Sequence, residues 1–267
     1  MNGISKSKRR LALRLRSRRG REREGLALAE GPRVVMEALR SSVEVRWVAI
    51  GGELAAAEEG RAIVEAAGRR GAQALIADGA AVRDLCSTES PLPVLACVKT
   101  PPIGARRLAR GRYLMAAGVQ IPGNLGTLIR SAWGFGLDGV VIGAGTVDPW
   151  NAKVVRASAG GVFHVPLIAP PGGGAGVVGG AAAAGGAEAV NFLHADPAGV
   201  PPARVEAGRR RNWVLVVGNE VGGAPRPDGG VARISVPLAP GVDSLNVAVA
   251  GSILMYLLTG GHMQEKE

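Results

Sequence analysis

The sequence predicts an α/β protein of two domains. Apolar runs alternate with helix-forming stretches between Val45 and Lys99, and the alternation restarts at Tyr113 with longer, uninterrupted apolar runs. Between the two series, Pro101-Pro102 and the basic residues Arg106, Arg107, Arg110 and Arg112 mark a joint. The expected boundaries are 1–25 for a basic N-terminal extension, 26–105 for a small first domain and 106–267 for a larger second one. With 267 residues, 47 % of them hydrophobic, there is core material for both, and with aromatics at 3 % it must come from Leu, Val, Ile and Ala.

In the first domain Gly31-Pro32 breaks the chain, and Val34, Val35, Ala38 and Leu39 then recur at helical spacing. Val45–Ile50 reads as a strand ended by Gly51-Gly52, and the Ala- and Glu-rich residues 53–70 read as a helix. Ala74–Ile76 and Val94–Lys99 are further strands, with a short helix over Ala80–Leu85. In the second domain the strand candidates are Tyr113–Ala117, Gly139–Ile142, Phe163–Ile168, Ala189–Leu193, Trp213–Val217 and Arg233–Val236. Most are continuous apolar runs, the pattern of a parallel sheet buried on both faces. Helices are expected over Leu125–Phe135, Ala152–Ala159 and Leu245–Leu258. The last is almost wholly apolar and stops at Gly260-Gly261, so it should be buried in the core or against another subunit. The Gly/Ala-rich stretch 170–187 falls where a crossover helix is due, yet glycine disfavours one.

Charge is concentrated at the start. Residues 1–25 carry ten Lys or Arg against Glu22 and Glu24, which accounts for most of the formal +10. Such a block suits phosphate, and Lys8, Arg9, Arg10, Arg14, Arg18 and Arg19 are the candidate nucleic-acid contacts. A membrane surface ranks lower, because Leu11, Leu13 and Leu15 do not make a good helical face. No apolar run reaches the roughly 18 residues of a membrane span, and no secretion signal follows the basic start. Cys86 and Cys97 are too few for a disulfide framework and read as reduced core thiols of a cytoplasmic protein.

Conventional catalytic patterns are missing. His164, His194 and His262 lack metal spacing and an obvious nucleophile partner, so no metal is expected. There is no P-loop, and Gly143-Ala-Gly145 lacks the third glycine of a dinucleotide fingerprint. Three other segments concentrate polar groups at strand-to-helix corners. Pro122–Gly136 opens a helix with Asn124 as N-cap and sets Arg130 among apolar neighbours, pointing inward or into a cleft. Val216–Gly223 runs a buried strand into Gly218-Asn219-Glu220. Ile234–Leu238, then Ser244-Leu245-Asn246, puts small polar side chains at the start of the terminal helix. Each alone could be capping or turn chemistry. Together they suit a polar ligand plus a phosphate.

At these segments the sequence resembles the SpoU (TrmH-like) RNA ribose methyltransferases of the SPOUT superfamily. Asn124, Gly126, Arg130 and Gly136 match the family's first motif, Gly218, Asn219, Glu220 and Gly223 the second, and Val236, Pro237 and Ser244–Val247 the third. Lys153–Gly160 resembles a further family segment, and the first 105 residues resemble the family's ribosomal-protein-like substrate-binding domain more loosely. The stretch Ala224–Gly230 departs from the pattern, being short with two prolines, so a helix usual there is lost or reduced.

The resemblance implies a C-terminal SPOUT domain, an α/β parallel sheet with a deep trefoil knot, behind a small RNA-binding domain. Knots are nearly absent from proteins, and this family is an exception. It implies an S-adenosylmethionine-dependent RNA 2′-O-ribose methyltransferase working as a homodimer. Cofactor contacts would come from Ala195, Gly218, Asn219, Gly223, Val236, Leu238 and Leu245. The catalytic set would be Arg130, Asn124, Glu220, Ser244 and Asn246, with Arg130 serving the site completed by the other subunit. A guanidinium is a permanent cation, so Arg130 is better read as holding ribose and phosphate than as a base, and the proton acceptor stays open between phosphate, water and Glu220. Ribosomal RNA is the favoured substrate. Transfer RNA and an inactive RNA-binding homologue are the alternatives.

Overall fold

The computed structural model describes residues 3–87, 91–104, 108, 110–170, 190–218 and 232–260. They divide into two compact units, Met1–Pro102 with Asp148–His164, and Ile103–Val147 with Val165–Glu267.

The first unit opens with helices α1 (Lys6–Leu15) and α2 (Arg18–Glu24). Both begin at serine caps: the Ser5 hydroxyl accepts from Lys8 N and the Ser17 hydroxyl from Gly20 N at 3.1 Å. The basic stretch read above as an extension is therefore folded into this unit. Contrary to expectation, Leu11 and Leu15 do share a face: with Ala12 they pack beside Ile4, and only Leu13 stands off it, half exposed. Charged residues on the remaining arc hid this face from a pattern reading.

Strand β1 (Leu26–Glu30), also missed in the sequence, is wholly buried. Helix α3 (Pro32–Arg40) starts at its proline, whose missing N–H costs nothing there. β2 (Val45–Gly51), α4 (Gly52–Ala56), α5 (Glu58–Arg69), β3 (Gln73–Ala77), α6 (Gly79–Arg83) and β4 (Val94–Lys99) follow close to expectation. The sheet order is β1-β4-β2-β3, with β4 antiparallel to both neighbours and β2 parallel to β3. Cys86 and Cys97 lie in its core, where burial pushes both thiols up to about 12.

The second unit begins with β5 (Arg112–Ala117), α7 (Pro122–Gly134) and β6 (Gly139–Ile142). The chain then joins the first unit over residues 148–164, inside the range assigned to the second domain. Helix α8 (Ala152–Ala157), capped by Asn151, packs there on β1. Phe163 ends a 3-10 turn, so the strand expected from Phe163 shrinks to β7 (Leu167–Ile168). β8 starts at Asn191 and runs on to Val200, β9 is Trp213–Gly218, β10 is Ala232–Ile234 and α9 is Val247–Leu258. These strands form one parallel sheet, order β10-β8-β9-β5-β6-β7. Residues 171–187 of the Gly/Ala-rich stretch lie outside the described residues. Among the described residues no helix is long and apolar enough to cross a membrane.

Candidate active site

The sheet of the second unit ends in a cavity of about 440 Å³. It lies at the carboxyl ends of adjacent strands, where open parallel sheets bind ligands. Gly118–Ile121 line it after β5, and Val217 and Gly218 close β9 beneath it. Ser235, Val236 and Leu238 follow β10, Ser244 and Leu245 precede α9, and Val247, Ala250 and Leu254 supply the helix wall.

A hook in β8 makes the remaining wall. β8 pairs with β10 at Leu193–Ala232 and His194–Arg233, and the next paired residue is Val200, opposite Ile234. Residues 195–199 are thus looped out of the ladder. Gly199 closes the loop, because a Cβ there would lie 2.6 Å from the Ile234 backbone. The Ser235 hydroxyl donates to Gly199 O at 2.8 Å, and Ala198 N donates to Asp196 Oδ1 at 2.8 Å. Ala195, Asp196 and Pro197 face the cavity from this hook.

Two asparagines join the helices at its mouth. Asn246 caps α9, its Oδ1 accepting from Ala248 N at 2.9 Å, while its Nδ2 donates to Asn124 Oδ1 at 3.1 Å. Asn124 is not the N-cap of α7 that the sequence suggested. Pro122 starts that helix one turn earlier, Ile121 holds the cap position, and the Asn124 side chain is released to the cavity. Arg130 is also corrected. It is exposed, so of the inward and cleft positions expected for it the inward one is excluded, and it has no ion-pair partner among the described residues. Six residues of α-helix, at 100° each, turn it away from the face that carries Asn124. It stands beside Ser131, whose hydroxyl bonds that of Ser252 at 2.7 Å and so ties α7 to α9.

The cavity thus gathers Asn124, Ala195, Gly218, Val236, Leu238, Ser244 and Leu245 from the expected set. Asn246 is next to it through Asn124, and Arg130 is elsewhere on the surface. Asn219, Glu220 and Gly223 lie outside the described residues. Lys8, Arg9, Arg10, Arg14, Arg18 and Arg19 belong to the first unit. Arg14 pairs with Glu24 and Arg18 with Glu22, whereas Lys8, Arg9, Arg10 and Arg19 have no ion-pair partner among the described residues. Sequence reasoning missed Gln120, Asp196 and Ser235 as lining residues. Asp196-Pro197-Ala198-Gly199 carries a turn signature, but nothing local shows that the turn faces a cavity. No cluster of metal-binding side chains occurs among the described residues.

A cavity at the strand ends of a parallel sheet, lined by aliphatic groups, amides and hydroxyls, is where α/β proteins hold small organic ligands. Residues 111–256 match the SpoU rRNA Methylase family, and residues 8–96 match the MRM3-like substrate binding domain. The chain belongs to the SpoU rRNA methylase family. It is 32 % identical over 250 residues to the 23S rRNA (guanosine(2553)-2′-O)-methyltransferase RlmP of Bacillus subtilis, covering 92 % of this chain and 94 % of that one. It is 30 % identical over 190 residues to human mitochondrial rRNA methyltransferase 3, covering 54 % of this chain and 45 % of that protein's length. The crystal structure of an AdoMet-bound rRNA methyltransferase from Sinorhizobium meliloti shares the fold, with a TM-score of 0.78 at 23 % identity over 99 % of this chain and 98 % of that one.

Proposed function

We propose that this chain transfers the methyl group of S-adenosylmethionine to a ribose 2′-hydroxyl of ribosomal RNA, as a cytoplasmic homodimer. The observation that carries this reading is the cavity, which collects seven of the residues assigned to cofactor and chemistry from four separate stretches of chain. Its volume falls within the roughly 300–1,000 Å³ of small-molecule sites. Its aliphatic walls and the bare backbone at Gly118 and Gly218 suit an adenosyl group. The relatives support ribosomal over transfer RNA, since both are named for ribosomal RNA.

The cofactor, when bound, supplies an electrophilic methyl group on a sulfonium. Backbone groups at Gly218, Val236, Leu238 and Leu245, together with Asn219 and Gly223, would hold it, and Ala195 would border the adenine. The segments on either side of the cavity thread the trefoil knot. Asn124, Ser244 and Asn246 orient the ribose, and holding the reacting groups in line supplies much of the rate enhancement. Arg130 grips the ribose and its phosphate and stabilises developing alkoxide charge. Since Arg130 turns away from its own cavity, it acts at the cavity of a second copy. The proton passes to phosphate, water or Glu220. Lys8, Arg9, Arg10, Arg14, Arg18 and Arg19 bind RNA phosphates.

The deciding experiment supplies labelled S-adenosylmethionine with ribosomal RNA and transfer RNA separately and digests the products to nucleosides. Label in a 2′-O-methyl nucleoside of ribosomal RNA is expected. Label confined to transfer RNA would move the substrate, label on a base would overturn the ribose assignment, and no cofactor binding would leave an inactive homologue. Arg130→Lys should lower turnover by at least ~10-fold, because a point charge cannot replace a bidentate fork. Undiminished turnover would remove Arg130 from this role.

A further inference from the structure

We infer that Asp196 makes the cavity selective for the charge of its ligand, favouring the sulfonium donor over the neutral thioether that remains after transfer. The inference rests on the methyl-transfer reading above. In that reaction the methyl carbon bonds to the ribose oxygen, the carbon–sulfur bond breaks with its electron pair left on sulfur, and the hydroxyl proton leaves. The cofactor enters carrying one more positive charge than it has on leaving.

Asp196 is the one ionisable side chain among the described residues that line the cavity. Its side chain is 16 % exposed, so water screens it only partly. The hook fixes it in place through Ala198 N on Oδ1. Arg233 Nη1 approaches Oδ2 at 3.5 Å, the outer limit of a hydrogen bond, and its side chain is 57 % exposed. That loose partner offsets the carboxylate without removing its field. A cavity of this volume is on the order of 9 Å across, so a sulfonium held in it lies within range of Asp196, whereas the amino-acid ammonium that donor and product share is offset by its own carboxylate. Unit charges ~7 Å apart at an effective dielectric near 20 shift binding by more than ~10-fold, and Arg233 with partial screening reduces this to roughly 5- to 10-fold. The consequence is eased release of the demethylated product.

The test is calorimetric titration of the full chain with three ligands: S-adenosylmethionine, S-adenosylhomocysteine, and sinefungin, which carries an amine where the donor has sulfur. Asp196→Asn keeps the acceptor for Ala198 N and the side-chain shape while removing the charge. It should weaken the donor and sinefungin by about 5- to 10-fold and leave S-adenosylhomocysteine within about 2-fold. Arg233→Met should act in the opposite direction and tighten the two cationic ligands. Equal weakening of all three ligands by Asp196→Asn would show a purely structural turn, and no change would show an idle carboxylate. Either result overturns the inference while the methyl-transfer reading stands. A parent protein that binds none of the three overturns both.

Discussion

Arg21 is a cation set inside the first unit. Its Nε and Nη2 donate to Asp148 Oδ2 at 2.8 and 2.6 Å, and its Nη1 donates to Leu15 O and Arg16 O. One side chain thus caps α1 and fastens residue 148 to α2. With side-chain exposures of 6 % and 14 %, the pair is poorly screened. Asp148→Asn preserves the acceptor for Trp150 N but leaves the guanidinium buried without its counter-charge. It should lower unfolding free energy by about 3 kcal/mol in denaturant melts, and a loss under ~1 kcal/mol would mean that water reaches the site. Glu30 is buried at the end of β1, where it accepts from the backbone N–H and hydroxyl of Ser87. Desolvation raises its pKa above the ordinary 4.5, outweighing the Ser87 hydrogen bonds and the charges of Arg156 and Arg16. The folded state therefore binds this proton more tightly than the unfolded chain does. The resulting stabilisation is full below the unfolded value and is lost as pH rises through the folded one. Glu30→Gln should raise the melting temperature more at about pH 7 than at about pH 4, and an equal change at both would refute the assignment.

At the scale of elements, α9 shows how an apolar helix is shared. Ala248, Gly251, Leu254, Met255 and Leu258 are buried, while Val249, Tyr256 and Leu257 are exposed on the other side. Tyr256 leans on Phe135 with ring centroids 5.8 Å apart, continuing that outer face toward α7. The segment 148–164 shows a different device, a piece of chain held by single-residue fits. Gly160 has φ +88°, and a Cβ there would lie 2.4 Å from that of Glu37. In the middle of the segment's 3-10 turn Val162 is buried, and just past the turn His164 Nε2 meets Glu37 Oε2 at 3.1 Å. Gly160→Ala should cost ~2 kcal/mol or more, from left-handed backbone strain plus overlap with α3. Limited proteolysis would then cut first within 148–164, and a variant as resistant as the parent would count against this fit.

At the scale of the whole molecule, the exposed apolar residues of α9 and the outward Arg130 bear on assembly. Large apolar side chains exposed together on one helix, as Val249, Tyr256 and Leu257 are, mark an interaction surface more often than scattered ones do. The proposed homodimer covers it with the same face of a second copy, as two-fold symmetry requires. Sedimentation at micromolar concentration should give a dimer for the parent. Joint substitution of Tyr256→Glu and Leu257→Glu should give a folded monomer that retains the cavity and loses methyl transfer, because Arg130 can no longer reach a second cavity. A dimer undisturbed by both charges would place the interface elsewhere.

The sequence by itself determined the α/β class, the parallel sheet and the family motifs. Continuous apolar runs such as Trp213–Val217 leave a strand few alternatives, and Asn124, Gly218 and Ser244 stand where the chain must turn at a strand or helix end. Short-range pattern failed where burial was decided at long range. Leu26–Glu30 became a strand because β4 pairs with it, and α1 found a core through Ala12 and Leu15 amid a run of cations. Local motif reasoning also faced Arg130 inward or into a cleft and made Asn124 a cap. Only the tertiary structure decided that Pro122 begins the helix, that Arg130 faces solvent, and that a hook of β8 brings Asp196 to the cavity. The physical reason is common to all three. A residue's type limits the groups it can satisfy, but which groups come within reach depends on segments distant in the chain.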